Sequence, residues 1–128
     1  MAKTHTKTWT LATDGGTGFS HARTYTGTKR TSLEETVADA QTNFEIVLAV
    51  DVSAVKSFSI VSDVDCLIET NNGTTPDDSI SLQAGRPYEW DEESYDAFLL
   101  GTDVTSIFVT TAAGAATIKC EVLEDATP

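Results

Sequence analysis

The strongest constraint on the fold of this chain is a run of alternating residues between positions 43 and 70. Large apolar residues occupy every second position in three groups: Phe44, Ile46, Leu48 and Val50; Phe58 and Ile60; and Val64, Cys66 and Ile68. Successive side chains of a β-strand point to opposite faces, so this period places one set in a core. Pro and Gly are absent from the run, which is typical of interior strands. The sequence therefore predicts three core strands, with a turn between the last two at Ser62-Asp63.

The same period extends in both directions along the chain. Residues 3–28 are predicted to form one hairpin around the turn Asp14–Gly18, with Thr at every second position from Thr4 to Thr10. Two short strands are expected around Ile80–Leu82 and Tyr88–Trp90, and a closing hairpin is expected from Val104–Thr111 and Ala116–Leu123. Many short strands separated by turns are typical of sandwiches and barrels.

Two segments are candidates for short helical turns. Ser32-Leu33-Glu34-Glu35 matches a capping box, although a strand fits this stretch equally well. Asp91–Leu100 is expected to form a short helix with Asp91 as its cap and with Tyr95, Phe98 and Leu99 packed inward. The predicted fold is therefore all-β: an antiparallel β-sandwich or jelly roll of about eight strands, with one or two short helical turns. Residues 1–12 are expected to be a basic N-terminal arm or edge strand, and residues 13–128 a single sandwich domain.

The charge distribution points to protein contacts rather than nucleic acid. The formal net charge is −12, whereas phosphate binding needs clustered Lys and Arg. Most of the basic residues fall in the first thirty positions, so the arm either pairs with its own acidic domain or grips another surface. The residues expected at such an interface are Lys3, Lys7, Trp9, Arg23, Lys29 and Arg30.

The sequence predicts neither a membrane span nor a secretory signal. No apolar run approaches the ~20 residues of a membrane helix, and the N-terminus lacks an apolar signal region. Synthesis in a cytoplasm is expected, so Cys66 and Cys120 are predicted to be reduced thiols at inward positions.

No motif for catalysis or for a cofactor is present in the sequence. A Ser-His-Asp device needs a His beside a nucleophile and an acid, yet there are only His5 and His21 and no G-x-S-x-G. The Cys and His residues lack zinc spacing. We therefore expect no enzyme and no cofactor. The acidic loops are expected to be solvated, and calcium binding is the less favoured alternative for them. Their carboxylates are Asp63, Asp65, Asp77, Asp78, Asp91, Glu92 and Glu93.

Five aromatic residues leave two interpretations open. They are either a sugar-stacking platform or core and interface anchors, the commoner use in a small sandwich: Trp9, Tyr25, Tyr88, Trp90 and Tyr95.

The second half of the chain resembles a known family. The likeness covers roughly residues 44–128 and is carried by strand-and-turn motifs: Ser62-Asp63-Val64-Asp65, Ile68-Glu69-Thr70-Asn71, Gly73-Thr74-Thr75-Pro76-Asp77-Asp78, Leu82, Ala84-Gly85-Arg86-Pro87-Tyr88-Glu89-Trp90, Ile107-Phe108-Val109-Thr110 and Leu123-Glu124-Asp125-Ala126-Thr127-Pro128. These resemble the capsid decoration, or cement, proteins of tailed bacteriophages. The resemblance implies a sandwich or jelly roll on the outer capsid surface, bound to the major capsid protein, often as a trimer.

Two functions of different classes follow. The first is a structural virion protein that binds the outside of a phage capsid and stabilises it as a homotrimer. The alternative is a carbohydrate-binding sandwich module of a phage tail or surface protein, with or without calcium. An exposed aromatic row favours the alternative, whereas oligomerisation through a large interface favours the first.

Overall fold

Ten β-strands and one 3-10 turn make up the regular structure of residues 2–125, the part of the chain that the computed structural model describes. The strands are β1 (Lys3–Leu11), β2 (Phe19–Gly27), β3 (Lys29–Val37), β4 (Phe44–Val50), β5 (Val55–Ser62), β6 (Cys66–Thr70), β7 (Ser79–Leu82), β8 (Tyr88–Asp91), β9 (Val104–Thr111) and β10 (Ala116–Glu124), with the turn at Val52–Ala54. The all-β prediction is confirmed.

The last eight strands form two antiparallel sheets with jelly-roll topology. One sheet has the order β3-β10-β5-β8 and the other β4-β9-β6-β7. The chain is thus wound as one long nested hairpin, in which β6 and β7 are the inner pair and β3 and β10 the outer pair. Successive pairs alternate between the two sheets, which is the arrangement of a jelly roll.

The core lies between these sheets and uses the residues that the alternation predicts. Phe58, Ile60 and Ile118 belong to one sheet and Ile68 and Val109 to the other, and all five are fully buried. The remaining core residues that come from the predicted alternating runs include Ile46, Leu48, Val50 and Cys66. Both Cys66 and Cys120 are buried free thiols, as expected.

Two predicted hairpins are wrong, although their strands are correctly placed. β5 and β6 were expected to pair through Ser62-Asp63, but they lie in opposite sheets; β9 and β10 likewise separate at residues 112–115. Asp63 explains the first case, because its carboxylate accepts a hydrogen bond from the backbone of Thr117 in β10 and holds the crossing loop. A short polar loop can close a hairpin or cross from one sheet to the other. The alternation of apolar and polar residues within the strands does not distinguish the two connections.

Of the two alternatives left open for residues 32–35 the strand is confirmed, whereas the short helix predicted for Asp91–Leu100 is wrong. Residues 32–35 lie inside β3, where Ser32 donates to Glu121 of β10 instead of capping a helix. Asp91 ends β8, and residues 92–100 follow as turns and irregular chain. The side chain of Asp91 does cap one turn, by accepting from the Glu93 amide, but no helix follows. Within this segment Tyr95 is fully exposed rather than packed inward.

Candidate functional site: a two-faced ribbon and an aromatic groove

β1 and β2 form a separate two-stranded ribbon, as the sequence predicts, and its two faces differ sharply. Cross-strand partners share a face, and one face carries every long side chain: Lys3 opposite Gly27, His5 opposite Tyr25, Lys7 opposite Arg23, Trp9 opposite His21, and Leu11 opposite Phe19. We call this the docking face. The other face carries small residues, and Thr6 with Thr24 and Thr10 with Ser20 form cross-strand hydrogen bonds there.

The lower half of the docking face rests on the outer surface of the β3-β10-β5-β8 sheet. Ser57 shows this most clearly. Its neighbour Phe58 points into the core, so Ser57 points to the outer surface of the sheet, and yet it is 0% exposed because the ribbon covers it. The Lys7 ammonium donates to the carbonyls of Phe58 (3.3 Å) and Trp90 (3.0 Å), and lies 3.6 Å from the Asp91 carboxylate. β1 is therefore held to the sheet by a buried ion pair whose lysine also bonds to the main chain.

Three further contacts surround that ion pair. The Tyr25 hydroxyl is hydrogen-bonded to Asp91, and burial together with this bond raises the pKa of Tyr25 to about 12. The Lys7 ammonium lies 6.0 Å from the centroid of the Tyr25 ring. Burial also lowers the pKa of Lys7, although Glu89 and Asp91 act in the opposite direction. At the rim, Arg23 pairs with Glu93 at 2.9 Å.

A Ser-His-acid sequence of contacts occurs under the ribbon. The Nδ1 atom of His5 lies 3.0 Å from the Ser57 hydroxyl, and Nε2 lies 3.6 Å from the Glu121 carboxylate. Nucleophilic catalysis uses a nucleophile, a histidine base and an acid in this arrangement, but the substrate must also be able to reach the nucleophile. Ser57 is completely covered, and none of the three residues lines the groove described below. The arrangement fits a polar contact that fastens the ribbon, and burial lowers the pKa of His5.

The distal half of the ribbon extends beyond the jelly roll, and the docking face continues along it. None of the hydrogen bonds found for residues 10–20 in the described chain reaches the jelly roll, and all these residues are exposed. Leu11 and Phe19, which are cross-strand partners, are 52% and 50% exposed. Two large apolar side chains thus stand side by side near the tip, on the face that docks lower down.

An open groove of about 1130 Å³ lies between the ribbon and the edge of the jelly roll. We call it the aromatic groove. Its ribbon wall holds Trp9, His21, Arg23 and Tyr25, and its body wall, formed by β8 and the following loop, holds Tyr88, Glu89, Trp90, Asp91, Glu93, Tyr95, Asp96 and Leu99. All five aromatic residues for which the sequence left two interpretations open, a sugar-stacking platform or core and interface anchors, line this groove. The sequence could not bring them together, because Trp9 and Trp90 are distant in the chain.

The body wall is held rigidly by its own contacts. Trp90 stacks on Phe98 with ring centroids 4.7 Å apart and 17° between the planes, and its indole nitrogen donates to the Asp96 carbonyl at 3.0 Å. The hydroxyl of Tyr88 accepts a hydrogen bond from the Leu99 amide at 2.9 Å. These bonds fix the loop that carries Tyr95 and give the groove a preformed shape.

The predicted interface residues fall into two groups. Lys7 and Arg23 are paired with Asp91 and Glu93, and Lys29 lies 3.9 Å from Glu124. Trp9 is half-buried in the groove. Lys3 and Arg30 are exposed on β1 and β3 and form none of the ion pairs found in residues 2–125. Sequence reasoning missed Leu11 and Phe19, although their place in the alternation was visible.

Two carboxylates of the acidic loops accept hydrogen bonds from backbone amides of the same chain. Asp65 accepts from the Ala84 amide, and Asp78 accepts from the amides of Gly101 and Thr102. Among residues 2–125, no three His, Cys, Asp or Glu residues converge in a way that would hold a metal ion. These carboxylates therefore have a structural task in shaping the loops.

Comparison of the chain with protein families, with curated proteins and with solved structures found no match. In the described part of the chain, no helix is both long and apolar enough to cross a membrane.

Proposed function

We propose that this protein is a structural virion protein that binds the outer surface of a phage capsid and stabilises the shell, as a homotrimer. The observation that carries the proposal is the distal half of the ribbon. There the docking face continues past the body and presents Leu11 and Phe19 to water. A projecting element with an apolar tip gains free energy when a partner covers it, at roughly 25 cal/mol per Å².

The ribbon is well built for such a contact. Its base is fixed to the body by the buried pair of Lys7 and Asp91, so the tip is held in a defined direction. A strand rises about 3.3 Å per residue, so the distal half reaches well beyond the last docked residues. A preformed arm loses little entropy on binding, which favours affinity.

The ribbon is proposed to bind mainly through its apolar tip, whereas the charge distribution of the sequence predicts binding through basic residues. Because Lys7 and Arg23 are satisfied within the chain, contact with an acidic surface falls to Lys3 and Arg30. The apolar tip then supplies the main contact, and the interface roles of the six residues predicted from sequence stay predictions. The partner we propose is the major capsid protein, as the resemblance implies.

The jelly roll supports this role without deciding it, since the fold hosts both capsid and lectin domains. Four edge strands border the two sheets: β3, β8, β4 and β7. Exposed edges invite pairing with other chains, and a closed trimer would cover some of them.

The test is co-sedimentation with expanded capsids of the phage whose genome encodes the chain. We expect the natural protein to pellet with the capsids, and the tip variant Leu11→Ser/Phe19→Ser to stay in the supernatant. The control is Phe44→Ser/Val47→Ser, which removes two exposed apolar side chains from β4 in the other sheet. It should pellet like the natural protein.

Two outcomes count against the proposal. If the natural protein stays in the supernatant, capsid binding is wrong; if the tip variant pellets as well as the control, the ribbon is not the contact. Light scattering checks the oligomer separately: a trimer has three times the chain mass of 13.7 kDa.

A further inference from the structure

The aromatic groove combines exposed rings with hydrogen-bonding groups in a way that the capsid proposal does not use. Its volume of about 1130 Å³ is slightly above the usual range for small-molecule sites, and it is partly open to solvent. Trp9 on the ribbon wall and Tyr95 on the body wall border it from opposite sides. We propose that the groove binds a saccharide chain that carries no acidic groups.

The rings present the flat surfaces on which sugars stack. The C–H groups on one side of a pyranose ring are weakly positive and pack against the negative face of an aromatic ring. Tyr95 is fully exposed although it is a large ring. Trp90 and Tyr88 are already immobilised by Phe98 and Leu99, so little entropy is lost when a ligand packs on them.

The polar groups of the groove define the charge of the ligand. Glu89 and Asp96 take part in none of the ion pairs found in the described chain, whereas Glu93 is neutralised by Arg23. Unpaired carboxylates accept hydrogen bonds from sugar hydroxyls, and they repel carboxylate, sulfate or phosphate groups. The Tyr88 hydroxyl accepts from Leu99 and keeps its own hydrogen to donate. A neutral saccharide therefore matches the groove.

Other occupants fit less well. An apolar peptide segment would bury Glu89 and Asp96 without hydrogen-bond partners, which is costly. A basic peptide would also satisfy those carboxylates, because Arg23 is already paired with Glu93, and it is therefore the competing ligand in the test. A sugar satisfies the carboxylates through its hydroxyls and also covers the exposed ring of Tyr95.

The experiment uses the full chain and printed arrays of neutral and acidic glycans, followed by calorimetry with the soluble form of any glycan bound. A hexalysine peptide serves as the competing ligand. The groove variants are Tyr95→Ala and Glu89→Gln, both at exposed positions where the fold should be unaffected. The control is Phe44→Ala, which removes an exposed ring from β4, outside the groove.

We expect binding to neutral glycans only, weakened about three- to tenfold by Tyr95→Ala and unchanged by Phe44→Ala. Absence of binding to any neutral glycan overturns the proposal, as do binding that survives both groove variants and binding of hexalysine in place of sugars. The Leu11→Ser/Phe19→Ser variant should bind glycans normally. The groove and the capsid contact can thus fail independently.

Discussion

Lys7 and Asp91 face each other across the base of the ribbon, with 3.6 Å between ammonium and carboxylate and side-chain exposures of only 7% and 8%. One residue lies near the start of the chain and the other ends β8. Their contact decides where the ribbon lies, and therefore where both the apolar tip and the aromatic groove are found.

Replacing Lys7 should destabilise the protein strongly. Lys7→Met leaves the buried Asp91 carboxylate without its cation, and breaking a buried pair in this way costs about 3–5 kcal/mol. Urea unfolding measures the loss. The control is Lys3→Met on the same strand, where the side chain is exposed and a change within about 0.5 kcal/mol is expected. Equal stability of the two variants would mean that the ribbon does not depend on the pair.

Gly27 is a second fastening point. A Cβ atom built there would lie 2.5 Å from the Glu124 carbonyl oxygen, because the end of β2 passes directly over β10. Gly27→Ala should therefore push the base of the ribbon away from β10 and cost about 1–3 kcal/mol in thermal or urea unfolding. The matched control is Gly101→Ala, where nothing lies within 4 Å. A Gly27→Ala protein as stable as its control would rule out this close approach.

His5 should make the protein sensitive to mild acid. Burial lowers the pKa of His5 below its usual 6.5, so the unfolded chain takes up the proton first as pH falls. Its contribution to stability is present above about pH 6.5 and is lost as pH drops through the lower folded pKa. The free energy of unfolding should fall by at most about 1.4 kcal/mol per pH unit for this one proton. His5→Gln should flatten that slope, and an unchanged slope would contradict the assignment.

Tyr25 should govern stability in alkali. Its pKa is raised from 10.0 to about 12, so the unfolded chain loses the phenolic proton first as pH rises. The stabilisation is complete below pH 10 and disappears towards pH 12. Tyr25→Phe is expected to be less stable at neutral pH, because it loses the bond to Asp91, but to lose less between pH 10 and 12. Cys120 contributes in the same direction, since burial raises its pKa to about 12, so the comparison is best made in a Cys120→Ala background.

Most strands were predictable from the sequence, whereas the neighbours of most strands within the two large sheets were not. Alternation places Phe58 and Ile68 on buried faces, because period two reports which side of a strand is apolar. It does not report which strand lies alongside, so it predicts hairpins after β5 and β9, where the chain in fact crosses between the sheets. Asp91 resembles a helix cap and so predicts a helix that ends at Leu100, whereas its carboxylate contacts Lys7 and Tyr25 and no helix follows.

The candidate site was predictable only in its parts. The basic residues of the arm and the aromatic residues were both visible, but their partners are distant in the chain, as with Lys7 and Asp91. Leu11 and Phe19 were hidden for another reason: their alternation is that of a buried face, and only the structure shows that the body ends before it reaches them.

The central claim is that the distal half of the ribbon is a contact surface, and amide hydrogen exchange on capsid-bound protein tests it most directly. Exchange is measured by mass spectrometry for the free protein and for protein bound to expanded capsids. The account predicts that peptides covering residues 10–20 become protected on binding, while β4, in the other sheet, exchanges as before. Binding that protects other segments and leaves residues 10–20 exchanging at the free rate would contradict it.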